Sequence, residues 1–215
     1  MWVNDVSYID SKNFVMARTD AQRRKMRRQR VVSHLRTPAE GCKPGFVAPK
    51  KNRLLLGIPS VDITAAVKQD RIVFWHVNQK PWCGAAAEDM YKNLGKALRK
   101  TCGNKRKYRV IEDGDPKGFQ SGKGIAEKVK QKIESMKLPV RSPEWMPLDF
   151  CLWHEIEERL YAKAPNYDET KKQFLKRLRS IALRLPRQMV RKCLLSMRKR
   201  IHMTIEAKGG HIRID

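Results

Sequence analysis

Apolar and β-branched residues come in short runs through the first half of this chain and at helical spacing through the second. Trp2, Val3, Val6, Tyr8 and Ile9, followed by Phe14-Val15-Met16, predict two short strands joined by a turn at Ser11-Lys12-Asn13. Leu54-Leu55-Leu56, Val61 to Val67 and Arg71 to Val77 predict further strands. Met90, Leu94, Ala97 and Leu98 recur at helical spacing and predict a helix over 85–100. Tyr108 to Ile111 reads as a strand that runs into the acidic cluster Glu112-Asp113-Gly114-Asp115-Pro116. Ile125, Val129, Ile133 and Met136 predict one face of an amphipathic helix, and Leu138 to Val140 another strand. Pro143 and Pro147 force a turn, because proline fixes its own φ and restricts the residue before it. Helices are expected after it, over about 148–161, 168–184 and 186–206. The order of elements predicts a mixed α/β domain, with residues 1–165 as its core and 166–215 as a helical part of the same domain.

Residues 18–53 break this pattern. They hold twelve Lys or Arg among several Pro and Gly, and predict a basic excursion with little regular structure beyond a helix near 20–30. The excess extends to the whole chain: 47 Lys and Arg against 22 Asp and Glu leave a formal net charge of +25 over 215 residues. Such self-repulsion points to a polyanionic partner, nucleic acid before an anionic membrane surface. Arg23, Arg24, Lys25, Arg27, Arg28, Lys50, Lys51 and Lys117 are the expected DNA-backbone contacts; the competing reading of the excursion is a solvated loop. No apolar run has the length of a membrane helix, and the N-terminus lacks the pattern of a secretory signal. The five cysteines are scattered, with no C-x-x-C pair to anchor zinc, and are expected to be free thiols.

The chemistry that such a chain can carry rests on its carboxylates. Asp113 stands at the end of a predicted strand, where ligands gather in α/β sheets. Asp10 ends the predicted strand Tyr8-Ile9, and Asp149 lies in the first turn of a predicted helix, where the helix dipole favours negative charge. Together the three could hold one or two Mg²⁺ or Mn²⁺ ions, which prefer oxygen ligands. Two ions about 3.5–4 Å apart activate a hydroxyl and stabilise the leaving oxygen of a phosphodiester. Each aspartate also has an ordinary reading: strand-end turn, Asp-Gly turn and helix N-terminal residue. Gly118 to Gly124, GFQSGKG, lacks the spacing of a phosphate-binding loop and reads as a loop before a helix.

Two blocks carry a resemblance. Ile111-Glu112-Asp113-Gly114-Asp115-Pro116-Lys117 resembles the Q-D-N-D-P-K-H block of mariner-superfamily DNA transposases. Ser142 to Asp149 with Leu152-Trp153 resembles their S-P-D-L-N-P-I-E-x-x-W block, at a similar spacing. Val6 to Ser11 looks like the strand bearing the family's first aspartate, and Ala207 to His211 is similar to its G-G tail. The resemblance implies an RNase H-like fold, a mixed central sheet flanked by helices, that cuts and transfers DNA strands in the nucleus. It implies Asp10, Asp113 and Asp149 as ligands of Mg²⁺ or Mn²⁺, and a homodimer as the working form. Trp153 matches the family tryptophan and is expected to pack and pin its helix.

The departures are Asp149 for Glu, Ser11 for Glu, and Gly114 and Gly118 for the family's Asn and His. The last removes polar support near the ions, so a decayed, purely nucleic-acid-binding copy is the alternative. The first catalytic strand lies close to residue 1, so the family's helix-turn-helix reader is expected to be absent.

Overall fold

The computed structural model describes residues 5–30, 57–139 and 142–209. Five strands form one sheet: β1 (Val6–Val15), β2 (Ser60–Lys68), β3 (Arg71–Val77), β4 (Tyr108–Glu112) and β5 (Ile133–Lys137). Their spatial order is β3-β2-β1-β4-β5, with β1 antiparallel to β2 and parallel to β4. The helices are α1 (Asp20–Arg30), α2 (Gly84–Cys102), α3 (Gly122–Lys130), α4 (Trp153–Ala162), α5 (Lys171–Leu183) and α6 (Arg187–Glu206).

The period-2 alternation of strands sorts side chains onto two faces. Tyr8, Phe14, Ile63, Ala65 and Val67 pack against Trp153, Ile156 and Leu160 of α4, Phe174 and Leu178 of α5, and Val190 and Leu194 of α6. Ile9, Ala66, Phe74 and Val110 face Met90, Tyr91, Leu94 and Leu98 of α2. Full burial of each such side chain contributes about 1.5–3 kcal/mol. The result is a sheet covered by helices on both sides. Thr170 caps α5 through a reciprocal capping box with Gln173.

Several expectations change. The two strands predicted before residue 17 are one: β1 runs unbroken through Ser11-Lys12-Asn13, which pair with Thr64, Ile63 and Asp62 of β2. Those polar residues are tolerated because Ser11 Oγ and Thr64 Oγ1 hydrogen-bond across the strands (2.7 Å) and Asn13 is exposed. The helix drawn through Ile125 to Met136 ends at Lys130; Lys132 then takes a left-handed turn (φ 59°) into β5. Ile125, Val129 and Met136 are exposed, whereas α3 buries Gly124, Glu127 and Lys128. The strand expected over 138–140 is displaced to β5, where Ile133 to Lys137 pair with β4; Val140 lies outside the described residues. So do Trp2, Val3, Leu54-Leu55-Leu56 and the excursion beyond α1.

Candidate active site

β1 is the central strand, and its register decides what meets at one end of the sheet. Its parallel pairing with β4 stops at Tyr8 and Ile111. Continued two positions, that register brings Asp10 level with Asp113. Alternation puts Asp10 on the face of Tyr8 and Asp113 on the face of Ile111, which is the face covered by α4 in both cases. Glu112 falls on the opposite face. Asp10 therefore does not end a strand; it lies two residues past the end of the β1–β4 pairing, still paired with Ala65 of β2.

Asp149 arrives from the helical side. Pro147 leads into a π-helical turn over Leu148–Leu152 that continues as α4, and Leu148 and Leu152 are its buried anchors. Single π turns of this kind recur at functional sites. Trp153, four residues after Asp149, donates from its indole Nε1 to Asp10 Oδ2 (2.6 Å). It is 1% exposed and meets Phe14 and Trp75 edge to face. The expected packing role is joined by a hydrogen bond that sequence reasoning missed: Trp153 fixes the orientation of Asp10. The two residues lie 143 positions apart, and no local pattern announces the contact.

The side chains of Asp10 and Asp149 are hydrogen-bonded to each other. Burial, and next the charge of Asp149, push the Asp10 carboxyl up to about 7. Asp149 is also raised, by partial desolvation first; Asp113 adds to the rise, while Asp10 and Lys12 oppose it. Lys12, on the Asp10 face of β1, also reaches Glu157 of α4 (3.4 Å). Asp113 is exposed and acts on Asp149 through its charge, its Oδ1 accepting from the N–H of Gly114 (2.6 Å). Asp113 and Asp149 border one hollow of about 230 Å³ with Leu138, Ser142, Pro143 and Met146. Among the described residues, no three His, Cys, Asp or Glu side chains stand close enough together to grip an ion as they are. The donor set nonetheless suits a hard divalent cation: all its atoms are carboxylate oxygens, and both Asp10 and Asp149 are raised by crowding and burial that a cation between them would relieve.

Two supports behind Asp113 were not legible in the sequence. Glu112, fully buried, accepts from Lys128 Nζ (2.5 Å), from Gln120 Nε2 (2.8 Å) and from the Tyr91 hydroxyl. Lys128 also donates to Phe119 O (2.9 Å) and Ser135 Oγ (3.0 Å), tying β4, α3, β5 and the intervening loop together. Asp115 turns inward and accepts from Trp82 Nε1 (2.6 Å) and the Gly118 N–H (2.8 Å). The Trp82 ring fills the space that a side chain on Gly118 would need. The glycine found where the resembling family has histidine thus has a local packing reason. Ser121 caps α3 by accepting from Gly124 N–H (3.1 Å), so of GFQSGKG only Gly118 to Ser121 is loop and Gly122-Lys123-Gly124 already form the first turn of the helix.

The residues expected to touch DNA divide. Arg23 is 3% exposed and donates to Arg18 O (2.7 Å) and Tyr167 O (2.9 Å), beside Glu169. It is a structural tie between α1 and the segment before α5, closed to a backbone phosphate. Arg24, Lys25 and Lys117 are exposed, Arg24 pairing with Asp20 (2.7 Å). The Arg27 and Arg28 side chains, Lys50 and Lys51 lie outside the described residues.

No protein-family model matches the sequence, and no curated protein matches it. Solved structures do. The catalytic domain of Mos1 mariner transposase superposes with a TM-score of 0.69 at 10% identity, over 99% of this chain and 86% of that one. The Mos1 catalytic domain with raltegravir and manganese gives 0.70 at 10% identity, over 98% and 86%. In the Mos1 paired-end complex with the left transposon end the values are 0.72 and 12%, and this chain spans 57% of that transposase. The five-stranded mixed sheet flanked by helices is accordingly the RNase H-like fold of the mariner transposase catalytic domain.

Proposed function

We propose that this chain is a DNA transposase catalytic domain that cleaves and transfers strands with Mg²⁺ or Mn²⁺ held by Asp10, Asp113 and Asp149. The observation that carries the reading is the convergence of Asp10 and Asp149, 139 positions apart, in side-chain contact beside a hollow that Asp113 also borders. When bound, the ions activate a water or a 3′-hydroxyl and stabilise the leaving oxygen of a phosphodiester. The chain supplies position. Trp153 orients Asp10, the π-helical turn presents Asp149, and the buried Glu112–Lys128 pair anchors the end of β4 from which Asp113 projects. Arg24, Lys25 and Lys117 are offered to the DNA backbone as sequence-independent contacts. A paired, homodimeric assembly acting in the nucleus accords with this chemistry, as does the structural likeness to a transposase solved in a paired-end complex with a transposon end.

The test is nicking of supercoiled plasmid with Mn²⁺. Wild type is expected to cleave, and Asp10→Asn and Asp113→Ala to lose at least about 100-fold, because loss of a direct ligand exceeds loss of a neighbour's support. Equal cleavage by all three overturns the reading. A second reading, a DNA-binding protein without catalysis, is favoured by one observation: among the described residues no three acidic side chains close on one point, and Asp113 accepts from the Gly114 N–H. DNA retention without any heat of Mn²⁺ binding in calorimetry would select it.

A further inference from the structure

The opposite end of the same strands holds a second polar recess, of about 190 Å³, that the proposed chemistry does not use. It lies where β1 and β4 begin and β2 ends, whereas Asp10 and Asp113 lie where the β1–β4 pairing finishes. Tyr8 pairs with Val67, so one step back Ser7 stands level with Lys68 on the face toward α2. Both side chains line the recess.

Ser7 is buried without a partner, whereas Lys68 buries its stem and brings its ammonium to the solvent in the recess. Ser7 is 1% exposed, and its Oγ has no hydrogen-bond partner. Lys68 is 7% exposed as a residue; among the described residues its Nζ makes neither a hydrogen bond nor an ion pair, and it meets solvent in the recess. Burial, and next the neighbouring Lys105, lowers its pKa from the ordinary lysine value, while Cys102 and Asp5 oppose the fall. Lys105, Lys107 and Arg109 add three more cations to the lining, against Asp5 and Glu134. Glu134 is already engaged by Lys107 (3.1 Å) and Arg109 (4.0 Å). The lining is thus net positive, four cations against two carboxylates. Its wall is preformed: the Tyr108 hydroxyl donates to Gly103 O (2.7 Å) and accepts from the Lys105 N–H (3.3 Å), bracing the loop that carries Lys105.

We propose that this recess is an anion site for a single phosphate group, with Lys68 Nζ and Ser7 Oγ as inner donors and Lys105 at its mouth. An oxyanion there accepts from the otherwise unpartnered Ser7 hydroxyl and makes a charge-assisted hydrogen bond with Lys68. The volume excludes a duplex and leaves two sources with the same chemistry, free phosphate and the terminal phosphate of a strand.

The experiment uses the full chain, with thermal melting and calorimetry against inorganic phosphate at constant ionic strength and chloride as reference. Phosphate is expected to raise Tm in wild type, since a ligand that binds only the folded state stabilises it. Binding should weaken at least about tenfold in Lys68→Met and severalfold in Ser7→Ala. Lys68→Met without phosphate is expected to fold, because it keeps the buried apolar stem and removes only the ammonium that reaches the recess; should it fail to fold, Ser7→Ala decides. No phosphate-specific shift over chloride, or a shift of equal size in the folded variants, overturns the proposal. A 5′-phosphorylated trinucleotide that binds more tightly than phosphate and than its unphosphorylated counterpart assigns the site to strand ends; no such gain assigns it to the free ion.

Discussion

A Cβ on Gly118 would lie 2.1 Å from the Trp82 ring, far inside contact distance. The indole cannot yield easily: it donates to Asp115 and packs edge to face on Phe119 (centroids 4.9 Å apart). Gly118→Ala is therefore expected to destabilise by about 1–3 kcal/mol. With Trp82→Ala in the background the same change should cost little, and urea denaturation of the four-member cycle reads the coupling. Gly114, by contrast, has open space around a Cβ, so the other departure from the resembling family has no packing reason. Asp113 and Asp149 were legible as single residues because Gly and Pro beside them mark turns. Trp153 was legible only as a packing residue, since its hydrogen bond depends on where β1 lies, and Arg23 was misread because composition counts charges without seeing that this one is enclosed.

Elements show the same limit in another form. Ile125, Val129, Ile133 and Met136 fall at spacings of four, four and three and matched a helix, yet the chain turns at Lys132 and half of that pattern belongs to a strand. The buried side of α3 was unreadable because it is a charge. Lys128 enters the core to meet Glu112, a partner 16 positions away on β4. Removing one member of such a pair leaves the other unpaired, so Lys128→Met is expected to cost about 3–5 kcal/mol. Glu112→Gln with Lys128→Met should recover most of it, checked by chemical denaturation; a double variant whose loss equals the sum of the two single losses would show that the pair is not coupled. The polar stretch Ser11 to Asn13 failed as a turn signal because β2 supplies partners for it.

On the scale of the molecule, the order of strands and helices was legible, and so was the α/β class, because both follow from periodicity alone. Which ends of which strands face each other was not; it came from the parallel register of β1 and β4. The net charge of +25 is spread over surfaces that include Arg24, Lys25 and Lys117, and predicts duplex binding dominated by counterion release. With about 0.9 counterion released per phosphate neutralised, six contacts give a log–log slope near −5 against salt. Titration of a fluorescent duplex between low and physiological salt measures it, and a slope near zero would remove nucleic acid as the partner.

β1 has neighbours on both sides, so its aspartate is the one member of the trio that cannot be shifted without tearing the sheet. The other two ride on a loop and on the first turn of a helical stretch. Any rearrangement that tightens the trio around a guest must therefore be a journey of Asp113 and Asp149 toward a stationary Asp10, with the indole of Trp153 as the tether that limits how far the helix can travel.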